Sequence, residues 1–285
     1  MFSIIIPVYN DKKIAQCLQS IQANDFKDFE IIVVDNNSSD PEIKEIVQRY
    51  PVKYLLETKT GSYAARNTGA KNAQGDILIF IDSDCQASQD WLQNIAASFK
   101  NNIDGLMGKI TGINSNKIAT LEQKFYEAVT ANFLQKKNLS RIDTRNFAIK
   151  KEIFNKLKGF NEDLKYGGDM ELGARLHENN YKIIYQDSVI IQHVNETNLN
   201  KIIRKRIEQN FDNYKIIDYH EPEFIAEYFP HLLKIKTLKK YYYLFIICLP
   251  IFKVLTKLTK CYVFYKYSNI AACKIGSLKC YLQKT

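Results

Sequence analysis

Ile77-Leu78-Ile79-Phe80-Ile81-Asp82-Ser83-Asp84 is the stretch that decides the fold. An unbroken apolar run of this length is typical of a strand buried on both faces, as in a parallel sheet. Asp82 and Asp84 follow directly at the carboxyl end of that strand, and ligands of open α/β sheets bind at that edge. Oxygen ligands at this spacing suit Mg²⁺ or Mn²⁺ holding a phosphate-bearing substrate. The alternative is a turn in which an Asp caps a helix.

Two earlier segments show the same change from an apolar strand to polar residues. Residues 2–6 lead into Pro7-Val8-Tyr9-Asn10, and residues 30–34 lead into Asp35-Asn36-Asn37-Ser38-Ser39-Asp40. Helical spacing over residues 14–21, 41–50 and 61–73, with a short strand at 52–56, completes the order β-α-β-α-β-α-β. This order predicts right-handed crossovers onto a parallel sheet, so that the polar strand ends share one edge.

Together with further segments downstream, these motifs resemble the family 2 inverting glycosyltransferases, which have the GT-A fold. The resemblance covers about residues 1–215 in colinear order. It is carried by Ser3-Ile4-Ile5-Ile6-Pro7-Val8-Tyr9-Asn10, Val33-Val34-Asp35-Asn36-Asn37-Ser38-Ser39-Asp40, Gly61-Ser62-Tyr63-Ala64-Ala65-Arg66-Asn67-Thr68-Gly69, Asp82-Ser83-Asp84, Arg145-Asn146-Phe147-Ala148-Ile149, Gly159-Phe160-Asn161-Glu162, Gly167-Gly168-Asp169-Met170-Glu171-Leu172 and His193.

The resemblance implies an α/β fold: a mixed, mostly parallel sheet flanked by helices, with a basic helical appendage at the C-terminal end. We expect a catalytic domain over residues 1–215, with a nucleotide-binding half (1–100) and an acceptor half (101–215). Residues 216–285 are predicted to form a basic amphipathic helical tail. The implied reaction is transfer of a sugar, with inversion, from a nucleotide-sugar donor, preferably a UDP-sugar, to a saccharide or lipid-linked hydroxyl acceptor.

The donor site is implied residue by residue. Asp35 matches the carboxylate that accepts a hydrogen bond from the nucleotide base, and an ionised Asp can only accept. Arg66 matches an arginine beside the nucleotide, where a guanidinium presents a planar fork. The donor-binding set is completed by residues near the first and fourth strand ends: Pro7, Tyr9, Asn10 and Asp82.

The same resemblance implies a divalent cation, Mn²⁺ or Mg²⁺, and a catalytic base. Asp84 matches the direct metal ligand, Asp82 its partner, and His193 a further ligand found in parts of the family. His193 follows two predicted strand segments, 181–185 and 189–192, and a lone histidine at a strand end is usually structural. Asp169 matches the general base that takes the proton of the attacking hydroxyl. Many members have Glu-Asp where this chain has Gly168-Asp169. Simple capping of the helix predicted at 170–179 is the alternative role for Asp169.

The excess positive charge of the chain is concentrated near its C-terminal end. The formal net charge is +9. Residues 231–285 contain no Asp or Glu and eleven lysines: Lys234, Lys236, Lys239, Lys240, Lys253, Lys257, Lys260, Lys266, Lys274, Lys279 and Lys284. Residues 241–252 are uncharged and very apolar but shorter than the roughly 20 residues that span a bilayer. We expect Pro250 to separate two short helices.

Apolar surface, aromatic rings and lysines together favour an interfacial membrane segment over a nucleic-acid site. A helical cap with snorkelling lysines is the alternative. We see no secretory signal and no Cys-x-x-Cys pair, which favours a cytoplasmic enzyme, peripheral on the inner face of the cell membrane, in surface polysaccharide or glycolipid synthesis. The other functions considered are a metal-dependent nucleotidyltransferase, although residues 7–11 are not a Gly-rich phosphate loop, and an inactive nucleotide-sugar-binding protein.

Overall fold

The computed structural model describes residues 1–134 and 142–284. Residues 135–141 of the predicted acceptor half and Thr285 of the predicted tail lie outside the described residues. The chain divides into two compact units. Unit 1 contains Met1–Ile113, Asn132–Asp163 and Gly168–Val194, and unit 2 contains Asn114–Ala131, Leu164–Gly167 and Asn195–Thr285. The limits of the halves and tail given above stay predictions.

Unit 1 holds an eight-stranded sheet with the order β3-β2-β1-β4-β7-β6-β8-β5. Its strands are β1 Phe2–Val8, β2 Phe29–Asp35, β3 Lys53–Leu56, β4 Ile77–Phe80, β5 Cys85–Ala87, β6 Gly105–Ile113, β7 Phe147–Lys150 and β8 Ile183–Val194. The pairings β1–β2, β1–β4, β2–β3 and β6–β8 are parallel, and β4–β7, β6–β7 and β5–β8 are antiparallel. The predicted α/β class with a mixed, mostly parallel sheet is confirmed.

Helices connect the parallel strands, as the alternating pattern predicted. The helices within unit 1 are α1 Ile14–Gln22, α2 Glu42–Gln48, α3 Ser62–Lys71, α4 Trp91–Phe99, α6 Lys151–Lys156 and α7 Gly168–Glu178, and α5 is Lys117–Leu134. All seven residues of β1 are buried, because this strand is covered on both faces. Ile5, Ile32, Phe80 and Phe147 from neighbouring strands belong to one core cluster with Ala65 of α3. Burial of such side chains contributes about 1.5–3 kcal/mol each.

The last long strand differs from the sequence prediction. The two predicted strand segments, 181–185 and 189–192, are one strand, β8, paired with β6 along its length. The register shifts between Gly108 and Lys109. A bulge of this kind absorbs the polar residues between the two segments without ending the strand.

Unit 2 is helical. Its helices are α8 Leu199–Tyr214, α9 Pro222–Tyr228, α10 Pro230–Leu233, α11 Tyr242–Thr259 and α12 Tyr262–Lys284, with 3₁₀ helices at Lys215–Asp218 and Lys236–Tyr241. The core cluster joins Ile118 of α5, Ile202 of α8, Leu249 of α11 and Tyr265 of α12. A partly buried charge pair accompanies this cluster, with Arg206 and Glu122 2.9 Å apart.

The prediction that Pro250 separates two helices is wrong. Pro250 lies inside α11, which continues to Thr259. The neighbouring buried residues Leu249 and Thr256 pack toward α12, where the hydroxyls of Thr256 and Ser268 lie 3.3 Å apart. Packing against α12 therefore outweighs the cost of a proline within a helix, which is about 3 kcal/mol in an exposed helix.

The uninterrupted helix also changes the assessment of apolar length. Within the part of the chain that the structure describes, one helical segment, at residues 236–259, is long and apolar enough by length and composition to cross a membrane. Only 11% of its most apolar stretch is buried. By sequence, residues 241–252 are too short to span a bilayer, but in the structure they belong to a longer apolar segment of 24 residues.

Candidate functional site

The polar residues after β1, β2 and β4 meet at one edge of the sheet in unit 1. The register places Val8 beside Asp35 and Ile5 beside Phe80. Because these strands are parallel, the residues that follow each of them emerge together. This is the edge at which the sequence predicted the donor site.

Asp35 is the last residue of β2 and is only 4% exposed. Its two carboxylate oxygens accept hydrogen bonds from the Ser38 backbone N–H and the Tyr54 hydroxyl, both at 2.8 Å. Burial, together with Asp35, raises the pKa of Tyr54 to about 12, so the phenol stays a donor. A carboxylate oxygen has two lone pairs, and Asp35 therefore keeps capacity to accept a further hydrogen bond.

The residues at and after the end of β1 contact the loop that follows β2. Pro7 is buried within β1, whereas Tyr9 is 62% exposed. Asn10 has a positive φ of 50°, a conformation that Asn adopts more readily than most residues. The Asn10 side-chain oxygen accepts a hydrogen bond from the Asp40 backbone N–H at 3.0 Å, and the Asn10 backbone N–H donates to Ser38 Oγ at 2.9 Å. Asn10 thus orders the loop, and the Tyr9 ring is left open to solvent.

Arg66 and Asp82 form an ion pair at 2.5 Å. The Arg66 side chain is 4% exposed and that of Asp82 31%. The guanidinium also lies 5.6 Å from the centre of the Tyr63 ring. Its buried Nε atom has no hydrogen-bond partner among the residues that the structure describes. The Arg66 guanidinium therefore pairs with the Asp82 carboxylate and does not face the open site.

Asp84 is brought to His193 by the pairing of two strands. Cys85 of β5 is opposite His193 of β8, and the Val194 N–H donates to the Asp84 carbonyl at 3.2 Å. Asp84 Oδ2 lies 3.4 Å from His193 Nε2. Burial of the Asp84 carboxyl acts to raise its pKa, but the hydrogen bond and charge of His193, with Lys13 and Arg145, outweigh it and lower the pKa.

The predicted metal ligands are therefore brought together only in part. Asp84 and His193 are adjacent, while Asp82 faces Arg66. Among residues 1–134 and 142–284, no group of three or more His, Cys, Asp or Glu side chains is arranged to hold a metal. One carboxylate oxygen and one imidazole nitrogen fit Mn²⁺ or Mg²⁺ when phosphate oxygens and waters complete the shell. The donor set fits the predicted cation in that incomplete form.

Asp169 lies at the start of α7 and is partly exposed. Its Oδ1 accepts from the Tyr63 hydroxyl at 3.2 Å, and its backbone N–H donates to the same hydroxyl at 3.3 Å. The Met170 N–H also donates to Oδ1, at 2.9 Å, so a local helix-start bond is present too. The Glu171 carboxylate instead accepts two hydrogen bonds from the Arg175 guanidinium.

Sequence reasoning gave no role to the two tyrosines that hold the predicted carboxylates. Tyr54 lies on β3 and Tyr63 on α3, 19 and 106 residues from the carboxylates that they contact. Tyr63 stands within the motif of residues 61–69, but nothing in that motif indicates which way its ring points. Only the tertiary packing identifies these contacts.

Comparisons with known proteins identify the family to which the chain is similar. The model of the family described as Glycosyl transferase family 2 matches residues 3–158. Glycosyltransferase AglE of Haloferax volcanii is 30% identical over 200 residues, which are 66% of this chain and 65% of AglE. The GalNAc(5)-diNAcBac-PP-undecaprenol beta-1,3-glucosyltransferase of Campylobacter jejuni is 29% identical over 215 residues, 66% of this chain and 67% of that protein. The match thus spans just under two thirds of AglE.

A solved structure shows a similar fold. The mannosyltransferase PcManGT from Pyrobaculum calidifontis, in complex with GDP-Man and Mn²⁺, superimposes with a TM-score of 0.70 at 17% identity. The superposition covers 100% of this chain and 88% of that one. The predicted GT-A fold is confirmed.

Proposed function

The chain belongs to glycosyl transferase family 2 and is a glycosyltransferase, and on that premise we propose that it transfers a sugar from a nucleotide-diphosphate donor to a hydroxyl acceptor with inversion. The observation that carries this proposal is the pair that Asp84, in the turn after β4, forms with His193 of β8, with Asp84 Oδ2 and His193 Nε2 3.4 Å apart. A paired oxygen and nitrogen donor at the ligand-binding edge of a parallel sheet is suited to a cation that holds a diphosphate.

Asp35 and Tyr9 are proposed to bind the nucleoside. The Asp35 carboxylate is held from two sides and can accept from the base N–H. Uracil and guanine both present such a donor, and we propose UDP first and GDP as the alternative. Tyr9, exposed beside the loop that Asn10 and Pro7 shape, offers a ring face for stacking, which contributes about 0.5–1.5 kcal/mol for an aromatic pair.

Asp84 and His193 would hold Mn²⁺ or Mg²⁺, and the cation would stabilise the negative charge that develops on the departing diphosphate. Asp82 is proposed to act beside them, contacting the donor ribose. The buried Arg66 guanidinium holds the Asp82 carboxylate in place, so Arg66 serves the donor site through Asp82.

Asp169 is proposed as the general base. In an inverting transfer the acceptor oxygen forms a bond to the anomeric carbon as the bond from that carbon to the diphosphate oxygen breaks. The proton of the acceptor hydroxyl must leave in the same step, and a carboxylate within hydrogen-bond reach can take it. Asp169 is partly exposed and oriented by Tyr63.

The acceptor is proposed to be lipid-linked or part of a surface polysaccharide, with unit 2 on the inner face of the membrane. Supporting this, a stripe on α11 is exposed and apolar: Tyr243, Ile247, Ile251, Val254 and Leu258. We call these residues the α11 stripe. Lys253, Lys257 and Lys260 adjoin it, and no disulfide joins any of the six cysteines, all of which the structure describes, as expected in a reducing compartment. The Campylobacter relative is named for an undecaprenol-linked substrate.

A thermal-unfolding screen tests the donor and cation. UDP, GDP and CDP, each with and without Mn²⁺, are added to the full chain, and a ligand that binds the folded state raises the midpoint. We expect UDP with Mn²⁺ to raise it most, and either partner alone to raise it less. Equal shifts for all nucleotides, or no dependence on Mn²⁺, would contradict the proposed donor site.

A further inference from the structure

Tyr63 makes two hydrogen bonds to the same residue. Its hydroxyl donates to Asp169 Oδ1 at 3.2 Å and accepts from the Asp169 backbone N–H at 3.3 Å. A phenol has one proton to donate and a lone pair to accept with, so both bonds exist together. Holding the backbone and the carboxylate of one residue from a single oxygen fixes the rotamer of the Asp169 side chain.

Tyr63 is itself held rigidly. It is 7% exposed, stacks on Phe160 with ring centres 5.3 Å apart, and faces the Arg66 guanidinium at 5.6 Å. Burial raises the pKa of its phenol well above the ordinary value. The hydroxyl therefore remains protonated, and a hydrogen-bond donor, near neutral pH.

Gly168 provides the space that this ring occupies. A Cβ atom at position 168 would lie 2.7 Å from Tyr63 Cε2 and 2.9 Å from Cδ2 and Cζ. Real Cβ atoms do not approach a ring carbon so closely, so a side chain at position 168 and the Tyr63 ring in this position exclude each other. The glycine and the tyrosine form one arrangement around Asp169.

We propose that Tyr63 is a positioning residue for Asp169: its hydroxyl holds the carboxylate in the one orientation in which it accepts the acceptor proton. This inference rests on the proposed function, since it assigns to Asp169 the role of base. Contacts from Asp82 to Arg66, from Arg66 to Tyr63 and from Tyr63 to Asp169 also connect the donor side of the site to the base, and the two middle residues are buried. Small losses of alignment have large effects on rate when the reacting groups must be within hydrogen-bond distance.

The test compares Tyr63→Phe, Asp169→Asn and the double variant in the full chain with Mn²⁺. The probes are UDP-glucose and UDP-N-acetylglucosamine, and the readout is release of UDP, in which water replaces the acceptor. We expect Tyr63→Phe to lower kcat by roughly ten- to hundredfold while the donor KM changes by less than about twofold. The double variant should be no slower than Asp169→Asn alone, to within about twofold, because Tyr63 acts only through Asp169.

Tyr50→Phe is the matched control. It removes a tyrosine hydroxyl that also donates a hydrogen bond in unit 1, to the Ala15 carbonyl at 3.1 Å, away from the site. Its kcat should stay at the wild-type value. Unfolding midpoints of all variants confirm that each one folds.

The outcomes separate the two ideas. A fully active Tyr63→Phe beside an inactive Asp169→Asn would overturn the positioning role and leave the base assignment standing. An active Asp169→Asn would overturn the assignment of Asp169 as the base, and with it the positioning role that rests on that assignment. If neither donor is hydrolysed, urea unfolding of the same variants decides: less-than-additive losses of stability support the Tyr63–Asp169 bond, and additive losses overturn it.

Discussion

Asp82 and Asp84 are separated by a single residue, and their carboxylates have different partners. The carboxylate of Asp82 pairs with the nearly buried Arg66, and that of Asp84 with His193. The chain turns between β4, which ends at Phe80, and β5, which begins at Cys85, so the two side chains leave the sheet edge in different directions. Two residues that look equivalent in the sequence therefore lie in different surroundings at the sheet edge.

This difference predicts opposite effects of two alanine substitutions. Asp82→Ala leaves the Arg66 charge buried without its partner, and we expect the free energy of unfolding to fall by on the order of 2 kcal/mol even without ligand. Asp84→Ala removes only the longer 3.4 Å pair with His193, so it should destabilise the ligand-free protein less than Asp82→Ala, and it should abolish the part of the UDP-induced midpoint shift that depends on Mn²⁺. Urea unfolding and thermal unfolding measure the two effects. The reverse pattern would show that Asp82, not Asp84, serves the cation.

Asp169→Asn tests the base. Asn keeps the shape of Asp and can still accept from the Met170 N–H at the helix start, but it cannot take a proton. We expect UDP to bind as in the wild type and turnover to fall by roughly 10²–10⁴-fold. Asp163→Asn, the same change at an exposed position of unit 1, is the control and should be fully active. Normal turnover of Asp169→Asn would identify helix capping as the role of this residue.

At this scale the sequence predicted positions better than partners. Asp35 and Asp84 follow apolar strands, and the rule that ligands bind at carboxyl strand ends was enough to locate them. The Arg66–Asp82 pair and the Tyr63–Asp169 bond join residues 16 and 106 positions apart. Their formation depends on how α3 packs on the sheet and where α7 begins, which no local pattern records.

Among the elements, the parallel strands were predictable and the later ones less so. β1, β2 and β4 are apolar runs bounded by polar residues, and their predicted and observed limits agree within two residues. β8 was predicted as two strands because its middle, from Gln186 to Ser188, is polar, and the bulge opposite Gly108 accommodates those residues. α11 was predicted to break at Pro250, and packing on α12 keeps it continuous.

The close contact between α12 and α8 predicts that an added methyl group will destabilise the protein, although the same change normally stabilises a helix. A Cβ at Gly276 would lie 2.2 Å from the Ile207 carbonyl oxygen. Gly→Ala in a helix interior normally stabilises by about 1 kcal/mol, but here the two helix backbones must separate. We therefore expect Gly276→Ala to lower the free energy of unfolding by about 1–3 kcal/mol. Lys279→Ala, an exposed position on α12, should have little effect. A stabilised Gly276→Ala would show that these helices do not approach so closely.

For the whole molecule, the basic C-terminal region is both a structural part and a candidate membrane surface. Leu249, Tyr265, Ala271 and Ile275 complete the core of unit 2. Removing the chain beyond residue 228 would expose the apolar surface of α8 that these residues cover. Such a truncation would fail to distinguish loss of membrane binding from loss of folding, so membrane binding is better tested on the outer face of α11.

Substitutions in the α11 stripe test the membrane surface while leaving the core intact. Ile247 and Leu258 are 63% and 76% exposed, so Ile247→Glu with Leu258→Glu should not alter folding. Burying each such side chain in a bilayer contributes about 1.5–3 kcal/mol, and nearby lysines add roughly 1 kcal/mol each at low salt. We expect the full chain to sediment with phosphatidylglycerol vesicles, less so at high salt, and the double variant to bind at least about a hundredfold more weakly.

The control for that experiment carries the same added charge elsewhere. Thr197→Glu with Asn200→Glu places two carboxylates at exposed positions in unit 2 outside the stripe. Long-range repulsion from an anionic surface is then matched, because both variants have the same net charge, and any further loss in the stripe variant comes from the apolar contact itself. Equal weakening of the two variants would reduce the interaction to charge alone. A full chain that stays in the supernatant with anionic vesicles at low salt would rule out the membrane surface, and the stripe would then need another partner.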